Sequence, residues 1–168
     1  AGRVGDQVEP RAPLRSIDAN LQIELHDPRV PDRGLELGMS MRHGDVYLEL
    51  YREALAQQIP EARAKLAVFV HGLATTEWCW SLESEAYHGD PAASFGSLLA
   101  TDLDYTSIFV RYNSGRHVSE NGRLLAEQLQ RLVERYPVEV EEIVLIGHSM
   151  GGVVARAWID KQGGAKRV

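Results

Sequence analysis

The chain has 168 residues, of which 44% are hydrophobic and 25% charged, and its net charge is −6. This length and composition suit one globular domain with a core of its own. The negative charge and the lack of basic–aromatic clusters exclude a nucleic-acid-binding function, and no apolar run approaches the roughly 20 residues that cross a bilayer.

Residues 1–34 form a predicted leader. Its first 15 residues, AGRVGDQVEPRAPLR, are rich in Pro, Arg and Gly, show no periodicity, and lack the apolar core of a signal peptide. We expect this leader to be irregular or partly disordered. The lack of a signal-peptide core favours a cytoplasmic location, although a secreted or membrane-peripheral location stays open.

The first elements along the chain are a hairpin and a short helix. Leu35 to Leu50 has two partly alternating arms around His43-Gly44-Asp45, a pattern typical of a β-hairpin. Residues 52–64 have helical composition, and Pro60 is expected to end or divide that helix.

Three apolar, β-branched runs predict strands that are covered on both faces. They are LAVFV (66–70), SIFVRY (107–112) and EEIVLIG (141–147). A helix after Pro91 separates the first two, an amphipathic helix from Val118 to Tyr136 separates the last two, and a third helix follows Ser149. In this last helix the predicted buried stripe is Met150, Val153, Val154, Ala157 and Trp158.

The alternation of strands and helices predicts an α/β fold, with a mostly parallel sheet and helices on both faces. In such sheets, sites form at the carboxyl ends of the strands. Two stretches with chemical character, HGL and GHSMGG, follow strand ends. They are the predicted functional region.

Gly147-His148-Ser149-Met150-Gly151 fits the G-x-S-x-G pattern of a nucleophile elbow. A serine at a tight strand-to-helix turn needs a strained backbone, and flanking glycines let neighbouring backbone pass closely. Ser149 is therefore the candidate nucleophile. A glycine-rich turn with an incidental serine is the less favoured alternative, and neither phosphate-binding glycine motif is matched.

The helix that starts after Ser149 presents free N–H groups, which favour negative charge. Met150 N–H is thus a candidate donor to the oxyanion of a tetrahedral acyl intermediate. His71-Gly72-Leu73 follows the LAVFV strand, and Leu73 N–H is the second candidate donor.

With HGL and GHSMGG, the sequence resembles the α/β-hydrolase superfamily, in its lipase and esterase branch. The stretch VRYNSGRHVSENGRLLAEQLQRLV and GHSMGGVVARA are similar to bacterial lipase-like proteins of the GPI inositol-deacylase-like group. The resemblance covers about Leu66 to Trp158. It implies an α/β-hydrolase fold, ester hydrolysis without a cofactor, Ser149 as nucleophile, and the amides of Leu73 and Met150 as the oxyanion hole. His71 matches a histidine that shapes the oxyanion loop and is not the catalytic base.

In this superfamily an acid and then a histidine follow the nucleophile. After Trp158 the sequence has only IDKQGGAKRV, with Asp160 and no histidine. We therefore expect residues 35–168 to be the N-terminal part of a hydrolase domain, inactive alone. The remaining half of the domain, or self-association, is then expected to cover its last strand.

Upstream histidines are weaker candidates for the base. His88 and His117 lie in predicted loops, where exposed loop histidines are the favoured interpretation, and His148 is expected to pack beside the serine. No histidine spacing predicts a metal site.

Trp78 and Trp80 line an acyl pocket or, as favoured here, pin their loop to the core. Cys79, the only cysteine, excludes an internal disulfide and is expected to be a packing residue.

The loop Asn113-Ser114-Gly115 is predicted to be a turn before a helix capped by Ser119 or Asn121.

Together the patterns predict a serine ester hydrolase that acts on a lipid or another acyl ester. Amidases, thioesterases and acyltransferases share this apparatus. A non-catalytic, hydrolase-like binding module is the alternative from another class.

Overall fold

The computed structural model describes residues 38–161, with side chains up to Ile159. The predicted leader, residues 1–34, lies outside the described residues.

The first two strands, β1 (Ser40–His43) and β2 (Val46–Tyr47), pair in antiparallel fashion across Gly44-Asp45. Gly44 supplies the turn's left-handed conformation, with φ of 54°. The predicted hairpin is thus confirmed.

Three parallel strands form one side of the described sheet, opposite the β1–β2 hairpin. They are β3 (Lys65–Val70), β4 (Tyr105–Arg111) and β5 (Glu142–Gly147). The spatial order is β2-β1-β4-β3-β5, and β1 runs antiparallel to β4. Val70 lies opposite both Val110 and Gly147. The carboxyl ends of the three parallel strands therefore meet at one edge.

The helices and the single 3₁₀ turn of the described residues fall where the sequence predicts helical structure or connecting loops. They are α1 (Arg52–Gln58), a 3₁₀ turn (Glu77–Ser81), α2 (Ser84–His88), α3 (Phe95–Leu103), α4 (Val118–Arg135) and α5 (Met150–Lys161). The first helix ends just before Pro60, as expected. Within residues 38–161, no helix is long and apolar enough to cross a membrane.

Helices cover both faces of the sheet. Leu66, Val68 and Val70 of β3 pack in the larger core with residues of α1, α4 and α5. Ala67 and Phe69 point to the opposite face, where a smaller cluster includes residues of α3 and of the 3₁₀ turn. Because both faces are covered, β3 reads as a continuous apolar run. The predicted α/β architecture is confirmed.

The buried stripe of α5 differs from the prediction at two residues, Val153 and Ala155. Val154 and Ala155 are buried, whereas Val153 is 56% exposed. Successive helical residues are separated by about 100° around the axis, so a buried face centred between Val154 and Ala155 leaves Val153 on the opposite side of the helix. Gly122 of α4 lets α5 approach closely, since a Cβ there would lie 2.8 Å from the Ala157 Cβ. Helix-to-helix packing, which the pattern alone does not contain, selects the face.

Candidate functional site

Ser149 occupies the corner between β5 and α5. Its φ of 52° lies in the left-handed region, which costs a residue with a Cβ about 1–2 kcal/mol. Its side chain is exposed, and its hydroxyl makes no hydrogen bond to any residue that the structure describes. The corner therefore presents a free hydroxyl at the edge of the sheet where the parallel strands end.

Glycines make this corner possible. A Cβ on Gly147 would lie 2.5 Å from the Gly152 Cα. A Cβ on Gly151 would lie 2.7 Å from the Val70 carbonyl carbon and closer still to the carbonyl oxygens of Val70 and His71. The amino end of α5 is thus pressed against the end of β3, and neither glycine can carry a side chain without movement of the backbone.

The loop after β3 lies directly beside the serine. A Cβ on Gly72 would lie 3.2 Å from the Ser149 Cβ and 3.0 Å from the His148 Nδ1. The His148 N–H donates to the Val70 carbonyl oxygen at 3.0 Å, which fixes one segment against the other. The structure therefore brings together the two stretches, HGL and GHSMGG, that the sequence assigns to one site.

Two backbone amides at this corner lack partners. In the described part of the chain, neither Leu73 N–H nor Met150 N–H makes a hydrogen bond. The neighbouring amides are used: Ala74 N–H donates to Ser114 Oγ at 3.1 Å, and Gly151 N–H to the His148 carbonyl at 2.9 Å. Met150 is also the first residue of α5, where the helix dipole favours negative charge. The corner is suited to an anion or a developing oxyanion.

A model of the alpha/beta hydrolase family matches residues 67–168, more than half of the chain. The chain belongs to the alpha/beta hydrolase family. The matched region contains both the HGL loop and the GHSMGG corner. No curated protein and no solved structure matches the chain. The finer resemblance to GPI inositol-deacylase-like proteins stays a prediction.

His71 of this alpha/beta hydrolase contacts its own loop. Its ring is fully buried, stacks on Tyr112 at 4.3 Å, and places Nδ1 2.9 Å from the Gly72 carbonyl oxygen. Because that oxygen only accepts, Nδ1 carries the proton. Burial lowers the pKa of His71, so the ring is neutral at neutral pH. Tyr112 donates its hydroxyl to the His71 carbonyl at 2.7 Å, and burial raises the pKa of Tyr112 to about 12.

The other described histidines of the hydrolase serve local contacts. His117 caps α4, where its Nδ1 accepts the Ser119 N–H at 3.3 Å. The expectation that Ser119 or Asn121 caps this helix is wrong, because both lie inside its first turn. His88 packs edge-on against Phe95. No histidine within residues 38–161 hydrogen-bonds to Ser149.

His148 and Trp80 continue the surface next to the serine. Their rings meet edge-to-face, 6.4 Å apart, and Trp80 meets Phe69 of the core at 5.1 Å. Trp80 therefore pins its segment to the core, as the favoured interpretation has it. Cys79 is half-buried, and burial raises the pKa of its thiol, which is un-ionised at neutral pH. No group of three potential metal ligands exists among the described residues.

A buried charge cluster under this segment was missed by the sequence analysis. Glu77 is fully buried; its Oε2 lies 2.9 Å from Arg111 Nε, and its Oε1 accepts the Tyr47 hydroxyl at 3.1 Å. Arg42 lies 3.8 Å from the same carboxylate, with its guanidinium 4.0 Å from the Trp78 ring centre. A glutamate directly before Trp78, in the segment Glu77-Trp78-Cys79-Trp80, is the only local signal. Its partners are some 30 residues away or more, so no local pattern pairs them.

Proposed function

We propose that this protein is a carboxylic ester hydrolase that works by acyl transfer, with Ser149 as the nucleophile. The observation that carries the proposal is the pair of unpaired amides, Leu73 N–H and Met150 N–H, beside an exposed serine with left-handed backbone. The Met150 N–H, at the first residue of α5, has no intrahelical partner, and the Leu73 N–H belongs to an exposed residue, so both can donate to a ligand. Two such N–H groups at one corner are readily explained by a ligand oxygen.

The chemistry follows from this arrangement. Ser149 Oγ attacks the carbonyl carbon, and the carbonyl oxygen becomes an oxyanion that accepts from Leu73 N–H and Met150 N–H. Collapse of this intermediate breaks the ester C–O bond, and the alcohol leaves with the proton taken from the serine. Water then hydrolyses the acyl-enzyme to the carboxylic acid and free Ser149. A serine hydroxyl needs a base, and in this family an acid and then a histidine follow the serine in sequence; the histidine takes the serine proton, and the acid orients the histidine. His71 supports the oxyanion loop, and Gly72, Gly147 and Gly151 supply the room for it.

The surroundings favour an uncharged acyl ester, including a lipid. Leu73 and Phe95 are more than half exposed, and Trp80 and His148 add ring surface next to the serine.

A fluorophosphonate probe tests the proposal. We expect it to label Ser149 in the protein with its complete hydrolase domain, and the Ser149→Ala variant of that protein to remain unlabelled. Ser119→Ala is the matched control, because Ser119 is an exposed serine in the first turn of α4. It should label like the parent protein. Strong labelling of Ser149→Ala would assign the reactivity to another residue.

A second candidate function is a hydrolase-like module that binds an ester without cleaving it. It is favoured by the lack of any hydrogen bond from a described histidine to Ser149. In that case the folded protein binds a non-hydrolysable ester analogue but resists the probe. Acyl transfer to an added alcohol, in place of hydrolysis, would instead identify an acyltransferase on the same machinery.

A further inference from the structure

We propose that Thr75 is a positioning residue that fixes the direction of the Leu73 N–H. The inference rests on the proposed function, in which that N–H stabilises the oxyanion. Thr75 Oγ1 donates to the Gly72 carbonyl oxygen at 3.1 Å. That carbonyl and the Leu73 N–H belong to one peptide unit, which is trans. In a trans peptide the two groups point in opposite directions. Holding the carbonyl on one side therefore aims the N–H to the other.

The remaining polar groups of the loop are held by separate contacts. Ala74 has a left-handed φ of 56°, and its N–H is bound by Ser114 Oγ at 3.1 Å. The His71 carbonyl accepts from Tyr112 at 2.7 Å. Within residues 71–75, every side-chain contact thus secures a neighbour of the Leu73 N–H and leaves that N–H itself available. The contacts of this loop therefore hold its other polar groups and leave the Leu73 N–H free to donate to a ligand.

Ser114 belongs to the loop after β4, and α4 in turn anchors that loop. Asn121 is 1% exposed and donates from Nδ2 to the Asn113 carbonyl oxygen at 2.9 Å. Ala74 is thereby attached to a rigid neighbour. Thr75 is not attached to the loop after β4: its hydroxyl donates back to the Gly72 carbonyl oxygen, and it lies 3.5 Å from His71 Nδ1 and beside the Cys79 thiol. Removing the Thr75 hydroxyl therefore perturbs the Gly72–Leu73 peptide while the Ala74 attachment persists.

Thr75 is separable from His71, which also faces the Gly72 oxygen. Replacing His71 would empty a fully buried site and remove its stack on Tyr112, so folding and positioning would change together. Thr75 is exposed, and valine has nearly the same shape without the hydroxyl. With the Thr75 donor gone, the Gly72 oxygen keeps His71 alone. The peptide then has freedom to rotate, and rotation would turn its carbonyl towards the oxyanion.

The experiment compares Thr75→Val with Thr75→Ser in the whole protein, with turnover of a neutral p-nitrophenyl ester as the readout. For Thr75→Val we expect kcat to fall about tenfold to a hundredfold, because a misdirected donor loses much of its effect. KM should change little. Thr75→Ser restores the hydroxyl and should restore kcat. The control is Thr76→Val, since the Thr76 hydroxyl makes no hydrogen bond among the described residues and its backbone is extended.

Two further measurements separate positioning from other effects. Thermal unfolding should show that all variants remain folded, and Cys79→Ala should keep the parent kcat, since Thr75 also lies next to that thiol. The amide proton of Leu73 should shift on phosphonylation of Ser149 in the parent and in Thr75→Ser, and less in Thr75→Val. The inference about Thr75 is overturned if folded Thr75→Val keeps the parent kcat, or if Thr75→Val and Thr75→Ser lose kcat equally. Either result leaves the proposed function intact. A parent protein without Ser149-dependent turnover overturns the proposed function, and the inference with it.

Discussion

Gly151→Ala tests the packing that creates the corner at Ser149. The new Cβ would lie 2.7 Å from the Val70 carbonyl carbon, and closer to two carbonyl oxygens. All of these atoms belong to the backbone, where β3 pairs with both β4 and β5, so no side-chain rotation relieves the overlap. Overpacking in a well-packed interior costs about 1–3 kcal/mol. With only backbone to move, we expect about 3 kcal/mol, the upper end of that range.

For a domain of this size, about 3 kcal/mol lowers Tm by roughly 6 to 12 °C. Circular dichroism on Gly151→Ala and on Gly152→Ala measures the shift. Gly152 is the matched control: a Cβ there meets only the Gly147 carbonyl oxygen, at an ordinary 3.7 Å. Alanine stabilises a helix interior by about 0.5–1 kcal/mol over glycine, so Gly152→Ala should leave Tm unchanged or raise it. Equal Tm values for the two variants would refute the steric argument.

Three other outcomes are expected. Leu73→Pro deletes one of the two proposed oxyanion donors, and loss of such a donor costs about 2.7–4 kcal/mol of transition-state stabilisation. We therefore expect kcat to fall a hundredfold or more, while Leu73→Ala stays near normal. Near-normal turnover of a folded Leu73→Pro would mean that the oxyanion hole lies elsewhere. Glu77→Gln removes the buried carboxylate that faces Arg42 and Arg111, and leaves Arg42 only the exposed carboxylate of Asp45 at 3.4 Å. Denaturant titration should show that the free energy of unfolding falls by about 3 kcal/mol. Unchanged stability would contradict the role given to the cluster. Because burial lowers the pKa of His71 below its ordinary 6.5, the unfolded state binds the proton more readily. Stability from His71 is therefore complete above pH 6.5 and lost as pH falls below it, a dependence that His71→Gln should reduce in urea titrations from pH 7 to pH 5.

Much of the fold could be predicted because its signals are local. The three apolar runs, the Gly44-Asp45 turn and the stop at Pro60 each report on their own segment, and each is confirmed. The face that α5 buries was less well predicted, since Gly122 on another helix determines how closely α5 packs. A period of 3.6 residues defines a stripe only to within about one residue.

The contacts that hold the loop after β3 are different in kind. Ser114 is 40 residues from Ala74, and Glu77 is 34 from Arg111. Neither pair has a spacing signature, because strands β3 and β4 bring the partners together through a parallel pairing. The glycines next to Ser149 can be read from sequence because backbone packing forbids every other residue. A hydroxyl that restrains a peptide can come from any loop ending at the same edge of the sheet. The proposed nucleophile, Ser149, can therefore be predicted from the G-x-S-x-G motif alone. The side chains that hold the neighbouring loop in place can be identified only once the strand order is known.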